Sequence, residues 1–299
     1  MGKPAFQIGK KADPKANGGL VVIGAEPASK DVTELRAFLA ANGPRTIVQV
    51  GAKVPLSVLE HVAGTPFVLL EGGRKSFDGL GALPASVRRL SIQKQSKPFS
   101  LAELPANSAI EQLELEVPSL SGSAPIPMLR TLGWTGMNDD GAAFVTAQPK
   151  LHELALRNSS ITKLPASAHL ERMILFTTTK LVSLLGLDSL PALRFLRIDG
   201  PKGMARLGPL AEAHALETLL LVRAHQIADL TDIATAPKLD MLGVIQSAVD
   251  EKPFLELKGK LTGGSFQLKT PAANKRLFEH LGIPYRKAEL IENRFFDKP

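Results

Sequence analysis

The 299-residue chain contains no cysteine, one tryptophan and one tyrosine, and aromatic side chains make up only 5% of it. Without a thiol it can form no disulfide, no thiolate-held zinc site and no cysteine nucleophile, a composition that suits a reducing compartment and favours the cytoplasm. Long apolar runs are missing as well. The first run, Leu20 to Ile23, is far shorter than a signal-peptide core or a membrane span, and Phe6 stands where a myristoylation signal needs Ser or Thr. Neither a membrane anchor nor export by the general route is expected.

Charge of one sign is scarce where it would count. The formal net charge is +7, but residues 1–16 carry +3, residues 252–299 carry +5, and residues 17–251 carry −1. A nucleic-acid footprint lies along the recognition surface, so basic ends on a neutral body point to solvated tails and away from DNA or RNA.

What the chain does have is a repeat. Leu170/Met173/Leu175, Leu193/Leu196/Ile198, Leu216/Leu219/Leu221 and Leu239/Leu242/Val244 each begin 23 residues after the triplet before. Such a period marks a unit that cannot bury its own apolar face and must stack on copies of itself. The same spacing occurs at Val87/Leu90/Ile92, Ile110/Leu113/Leu115, Leu129/Leu132/Trp134 and Leu151/Leu154/Leu156, with degenerate copies at Val21–Ile23, Val48/Val50 and Phe67/Leu69. Each triplet predicts a short parallel strand. The apolar residues that come next at intervals of three, such as Leu181, Leu184 and Leu187, predict a returning arc of 3₁₀ character.

The expected fold class is α/β, a solenoid with a curved parallel sheet on its concave side and short helices or 3₁₀ turns on its convex side. Its organisation reads as a basic N-terminal tail over residues 1–17, about ten repeats over 18–247 and a C-terminal cap over 248–299. A helix is predicted from Val32 with Asp31 as N-cap and Gly43-Pro44 as its end, and a shorter one over Leu56–Val62. Beyond the repeats, Phe254–Lys258 and Ser265–Lys269 alternate around Gly263-Gly264 and predict a strand pair. Helices are predicted from Pro271 to Leu281 and onward to Phe296.

Segments such as Leu184–Ile198 and Leu151–Pro165 resemble leucine-rich repeats of the short-arc, internalin-like bacterial type. The resemblance is strong over residues 87–245 and weaker over 20–86, and it implies a protein-binding role for the concave surface. That family carries a ladder of Asn at the ninth repeat position, where the side chain satisfies backbone groups in the turn. Here the ninth positions hold Gln95, Pro118, Met137, Ser159, Thr178, Pro201, Ala224 and Ser247. Ser and Thr replace part of that hydrogen bonding, whereas Pro, Met and Ala do not.

Alternation places the third, fifth and seventh residues of each strand on the outer face of the sheet. The middle strands present Arg89, Ser91 and Gln93, then Gln112, Glu114 and Glu116, then Thr131, Gly133 and Thr135, then Glu153, Ala155 and Arg157, an ordinary solvated surface. The later strands present Arg172, Ile174 and Phe176; Phe195, Arg197 and Asp199; Thr218, Leu220 and Val222; Met241, Gly243 and Ile245. A contiguous apolar patch of this kind lies under something. As a partner-binding site it would use Phe176 and Phe195 as anchors, with Arg172, Arg197 and Asp199 as polar orienters. The other occupants open at this point are the chain's own C-terminal segment, a second copy in a homodimer, and a small ligand.

No cofactor motif and no catalytic constellation stands out. His61, His152, His169, His214, His225 and His280 fall at unrelated repeat positions, so no metal site is expected. Asn138-Asp139-Asp140-Gly141 lacks the remaining ligands of a calcium loop and reads as a turn. Trp134 is inward and reads as core. The expected function is a non-enzymatic module that binds one protein partner, a toxin in the case of an immunity protein. The alternative is an exported effector or scaffold with its activity in the C-terminal segment.

Overall fold

The computed structural model describes residues 6–9, 19–105, 108–122, 124–227, 229–247 and 249–286. The chain divides into two compact units, one of residues 1–135 with 147–150, the other of residues 136–146 with 151–299.

The first unit contains β1 (Phe6–Gly9), β2 (Leu20–Ile23), β3 (Ile47–Val50), β4 (Phe67–Leu70) and β5 (Arg89–Ile92), then β6 (Phe99–Ser100), β7 (Gln112–Glu116), β8 (Leu120–Ser121) and β9 (Thr131–Thr135). Its main sheet runs β1-β2-β3-β4-β5-β7-β9, parallel except where β1 pairs antiparallel with β2, and β6 pairs with β8 in a small second sheet on the arc side. Two inward rows cross it in register. Val21, Val48, Val68, Leu90, Leu113 and Leu132 form one, and Ile23, Val50, Leu70, Ile92, Leu115 and Trp134 the other. All are buried, which is why these positions must be apolar: each side chain packs on the equivalent side chain of its neighbours. Trp134 sits in this core, its indole N–H donating to the Val117 carbonyl at 3.2 Å.

Four expectations change here. The degenerate copy read as Phe67/Leu69 is one residue out of step: Val68 and Leu70 are the buried inward pair, whereas Phe67 and Leu69 are half-buried on the other face, because an unbroken apolar run does not mark which alternate set faces the core. Residues 6–9, assigned from sequence to the tail, form a strand whose hydrogen bonds close the edge of β2. Helix α1 (Ser29–Asn42) begins earlier than predicted, with Ala28 as N-cap, and the Asp31 carboxylate accepts from the Ala28 backbone N–H at 3.1 Å. A carboxylate three residues in can reach back to the free N–H, so it serves the same end from inside the first turn. Leu56–His61 is 3₁₀.

The second unit opens with a 3₁₀ turn over Asp139–Gly141 and the short helix α2 (Ala142–Thr146). Its strands are β10 (Glu153–Arg157), β11 (Arg172–Phe176), β12 (Phe195–Asp199), β13 (Thr218–Val222), β14 (Met241–Ile245) and β15 (Gly263–Phe266), all parallel and paired in sequence order, and α3 (Pro271–Leu281) comes after them. Inward residues Leu154, Met173, Leu196, Leu219 and Leu242 are in register, and so are Leu156, Leu175, Ile198, Leu221 and Val244. The predicted strand pair after the repeats is not there. Lys252–Leu257 is a 3₁₀ arc and Gly263–Phe266 joins β14 in parallel, one more repeat of the same kind. The spacing of three between the buried Phe254 and Leu257 fits an arc better than a strand, because both then point to one side. The helix predicted onward to Phe296 lies outside the described residues.

In this unit the residue directly after each of five successive strands, β10 to β14, is left-handed: Asn158, Thr177, Gly200, Arg223 and Gln246 have φ of 49° to 60°. Asn158, Thr177, Gly200 and Arg223 each donate a backbone N–H to the last carbonyl of the next strand, at 2.8–2.9 Å. A left-handed residue turns the chain out of the sheet in a single step. Just beyond it, Ser160 donates to Met137 O, Thr179 to Ser159 O and Lys202 to Thr178 O, at 2.8–3.0 Å. Carbonyls at the ninth position thus link repeat to repeat whatever the side chain, so Met can stand there. Gln95 and Ser247 still act through their side chains, accepting from the Arg74 and Ala224 N–H groups at 2.9 and 3.1 Å.

Candidate functional site

The outer face of β11–β14 is three rows set by strand register. Arg172, Phe195, Thr218 and Met241 form the first; Ile174, Arg197, Leu220 and Gly243 the second; Phe176, Asp199, Val222 and Ile245 the third. All ten residues expected to bind a partner therefore share one surface. They are not equally open. The single chain itself buries Arg172, Ile174, Phe195, Asp199, Leu220, Val222 and Met241, with Phe195 at 0% exposure and Leu220 at 1%. Phe176, Arg197 and Ile245 are half-buried. The patch expected from the sequence to lie under something is thus buried in the single chain at those seven residues. The segment from residue 287 onward, one of the occupants open from the sequence, lies outside the described residues.

Some of the burial is mutual. The Arg172 guanidinium lies 4.8 Å from the centre of the Phe195 ring and is within 3.5 Å of the Glu153 carboxylate. Leu220 fills the space over Gly243, where an added Cβ would meet Leu220 Cδ1 at 2.3 Å. A larger residue at this position would have to displace the Leu220 side chain, which now occupies that space. Alongside the face, Arg194 grips Glu217 through two bonds of 2.9 and 2.8 Å, and these bonds raise the arginine's pKa.

At the C-terminal ends of the strands the face opens. The half-buried Phe176 ring has Arg157 on one side, 5.5 Å from the ring centre, and Arg197 on the other at 5.1 Å. Arg197 donates to Asp199 at 2.8 Å, and Arg223 donates to the other oxygen of the same carboxylate through Nε at 2.8 Å and through Nη2. Asp199 is 3% exposed, whereas the Arg223 side chain is 55% exposed. Two guanidinium groups thus bind one buried carboxylate, and a third lies against the aromatic ring on the neighbouring strand. Charge-assisted bonds to a buried acceptor hold the arginines in place, and an arginine over a ring face adds a cation–π attraction of about 0.5–1 kcal/mol at exposed sites.

Sequence reasoning placed Arg157 on the ordinary part of the sheet and missed Arg223. Strict alternation after Val222 turns residue 223 inward. The left-handed backbone at Arg223 breaks the alternation and brings the side chain back to Asp199. The signal that could have found it is the interval of 23 residues from Gly200 to Arg223 and from Arg223 to Gln246.

Elsewhere, Glu114 forms an ion pair with Arg89. Asp139, in the turn that lacks the ligands of a calcium loop, accepts from the Thr162 backbone N–H and hydroxyl, each at 2.8 Å. Among the described residues no group of three His, Cys, Asp or Glu side chains could hold a metal ion, and no helix is long and apolar enough to cross a membrane.

Parallel strands one repeat apart, backed by short arcs and 3₁₀ turns, define the fold as a leucine-rich-repeat solenoid. The chain is similar to TLR13 in its complex with ssRNA13, at a TM-score of 0.57 and 16% identity, over 89% of this chain and 41% of that one. It therefore spans less than half the length of that protein. It is also similar to an internalin (inlF) from Listeria monocytogenes, at a TM-score of 0.53 and 14% identity, over 86% of this chain and 87% of that one. No protein-family model and no curated protein matches the sequence.

Proposed function

We propose that this protein is a non-enzymatic recognition module that holds one protein partner through the open end of the β10–β13 face. The observation that carries the reading is the row in which Phe176 lies between Arg157 and Arg197, while Arg197 and Arg223 share the Asp199 carboxylate. Arginine and aromatic side chains dominate binding energies at protein interfaces because they combine large contact area with directed hydrogen bonds. Here Arg197 and Arg223 are already tied to Asp199, so less side-chain freedom remains to be lost on association. One carboxylate against three guanidinium groups leaves a positive surface, which suits a partner presenting acidic side chains around an apolar contact. A toxin neutralised by this surface is the specific case proposed.

The test is affinity capture with the parent protein and with Phe176→Ala and Arg223→Ala, and then calorimetric titration of the captured protein. Either substitution should weaken binding by about 2 kcal/mol or more without changing the circular dichroism spectrum, while Glu114→Ala should leave affinity intact. Undiminished affinity in both variants would move the interface elsewhere. Capture of single-stranded RNA in place of a protein, with steep salt dependence, would assign the cluster to nucleic acid.

A further inference from the structure

In the first unit, a cleft of about 530 Å³ lies beside the loops after β3 and β4. Its apolar wall is Val54, Pro55 and Leu56; Lys53 and Lys75 stand exposed at its mouth, and Asp78 is its single acid. Arg74 is the buried polar member, at 5% exposure. Its Nη1 donates to the Gly51 carbonyl at 2.7 Å and its Nη2 to the Val54 carbonyl, while the Gln95 side chain accepts from its backbone N–H. Its Nε–H is buried and has no hydrogen-bond partner.

No carboxylate among the described residues lies within ion-pair distance of that guanidinium. The nearest acid, Glu71, accepts instead from Gln49 and from the Ala52 N–H. Desolvation lowers the pKa of Arg74, and Glu71 only partly opposes the shift. A buried cation without a paired anion is costly, and two exposed lysines add to the positive potential at the same opening. The structure tolerates this arrangement beside an apolar wall of the size at which small-molecule pockets are found.

We infer that the cleft binds a small organic anion, a carboxylate or phosphate carried on an apolar body, with the charged group toward Arg74, Lys53 and Lys75 and the body against Val54, Pro55 and Leu56. The same chemistry is presented by a free organic acid and by the terminal carboxylate of a polypeptide ending in an apolar residue. Both are small enough to present one oxyanion to a single guanidinium.

Calorimetric titration of the full chain with phenylacetate, phenyl phosphate and phenylacetamide tests the charge requirement. N-acetyl-leucylphenylalanine, as free acid and as amide, tests the second source. The acids should bind and the amides should not; binding of the aryl acids alone assigns a free acid, and binding of the dipeptide acid alone assigns a chain terminus. Lys53→Ala and Lys75→Ala should each weaken binding about two- to fivefold, the range for exposed charges, with an unchanged melting temperature. Arg74→Met should abolish binding, and because Arg74 ties the loop at Gly51 and Val54, the two lysine variants decide the matter if that variant misfolds. Equal binding of acid and amide, insensitivity to both lysine substitutions, or no binding of any acid at millimolar concentration would overturn the assignment.

Discussion

Phe176 and Phe195 occupy equivalent outward positions on neighbouring strands, yet substitution should separate them. Phe195 is fully buried beneath the Arg172 guanidinium, so Phe195→Ala removes a packed ring and should cost about 3–5 kcal/mol. Phe176 is half-open between two arginines, so Phe176→Ala should cost well under half of that and act on partner binding. Equal losses of stability in urea titrations would mean that the face is open along its whole length. A second expectation concerns Thr177, a β-branched residue held at φ 55°, where L side chains crowd the backbone. Its N–H bond to Asp199 O needs only the backbone. Thr177→Gly should therefore stabilise the protein by about 0.5–1 kcal/mol, since relief of strain exceeds the entropy that glycine loses on folding. Scanning calorimetry would show a rise in melting temperature, and a fall would mean that the threonine side chain contributes packing worth more than the strain.

At the scale of the element, neighbouring arcs are joined by polar bonds as well as by leucines. Asp139 accepts the Thr162 N–H and hydroxyl across one repeat interval. The backbone N–H is the largest of the causes that lower its pKa below the ordinary 3.8, with the Thr162 hydroxyl and Lys180 adding to it. A carboxylate whose folded pKa is depressed contributes its stability above its unfolded pKa and loses it as pH falls through the folded one. The Asp139 contribution should thus be complete at neutral pH, begin to fall near the unfolded value of about pH 4, and be gone only once the pH has passed the depressed folded value. Asp139→Asn should lower the melting temperature modestly at pH 7 and converge on the parent in strongly acidic solution. Parallel curves at every pH would show that the bonds matter without the charge.

In the second unit as a whole, the last strands depend on the residues beyond Ser247. Phe254, Phe266, Phe278 and Tyr285 form a chain of ring contacts at 5.4–5.8 Å between centres, and β15 satisfies the edge of β14. Truncation after Ser247 removes both, leaving an unpaired edge and the apolar end of the last repeat in water. Such a truncated protein should bind a hydrophobic dye and aggregate, as light scattering would report. A truncation that stayed monodisperse with unchanged dye fluorescence would contradict the capping role of residues 252–281.

Apart from β4, where Val68 and Leu70 face inward in place of Phe67 and Leu69, the inward rows were legible in the sequence. Leu170/Met173/Leu175 and its copies must be apolar because a parallel strand stacked on both sides leaves its inward side chains no other surroundings, and that necessity leaves a periodic trace. The ten outward residues from Arg172 to Ile245 were placed on one face by the same trace. What the sequence could not carry was conformation without a residue signature. Asn158, Thr177, Gly200, Arg223 and Gln246 share a left-handed backbone and no common side-chain chemistry, because strand-to-strand backbone bonds impose the turn. Tertiary structure alone therefore decided that Arg223 meets Asp199, and that Phe195 is buried where Phe176 is not, since burial depends on which surfaces long-range packing brings together, while periodicity records only the direction in which a side chain leaves its strand.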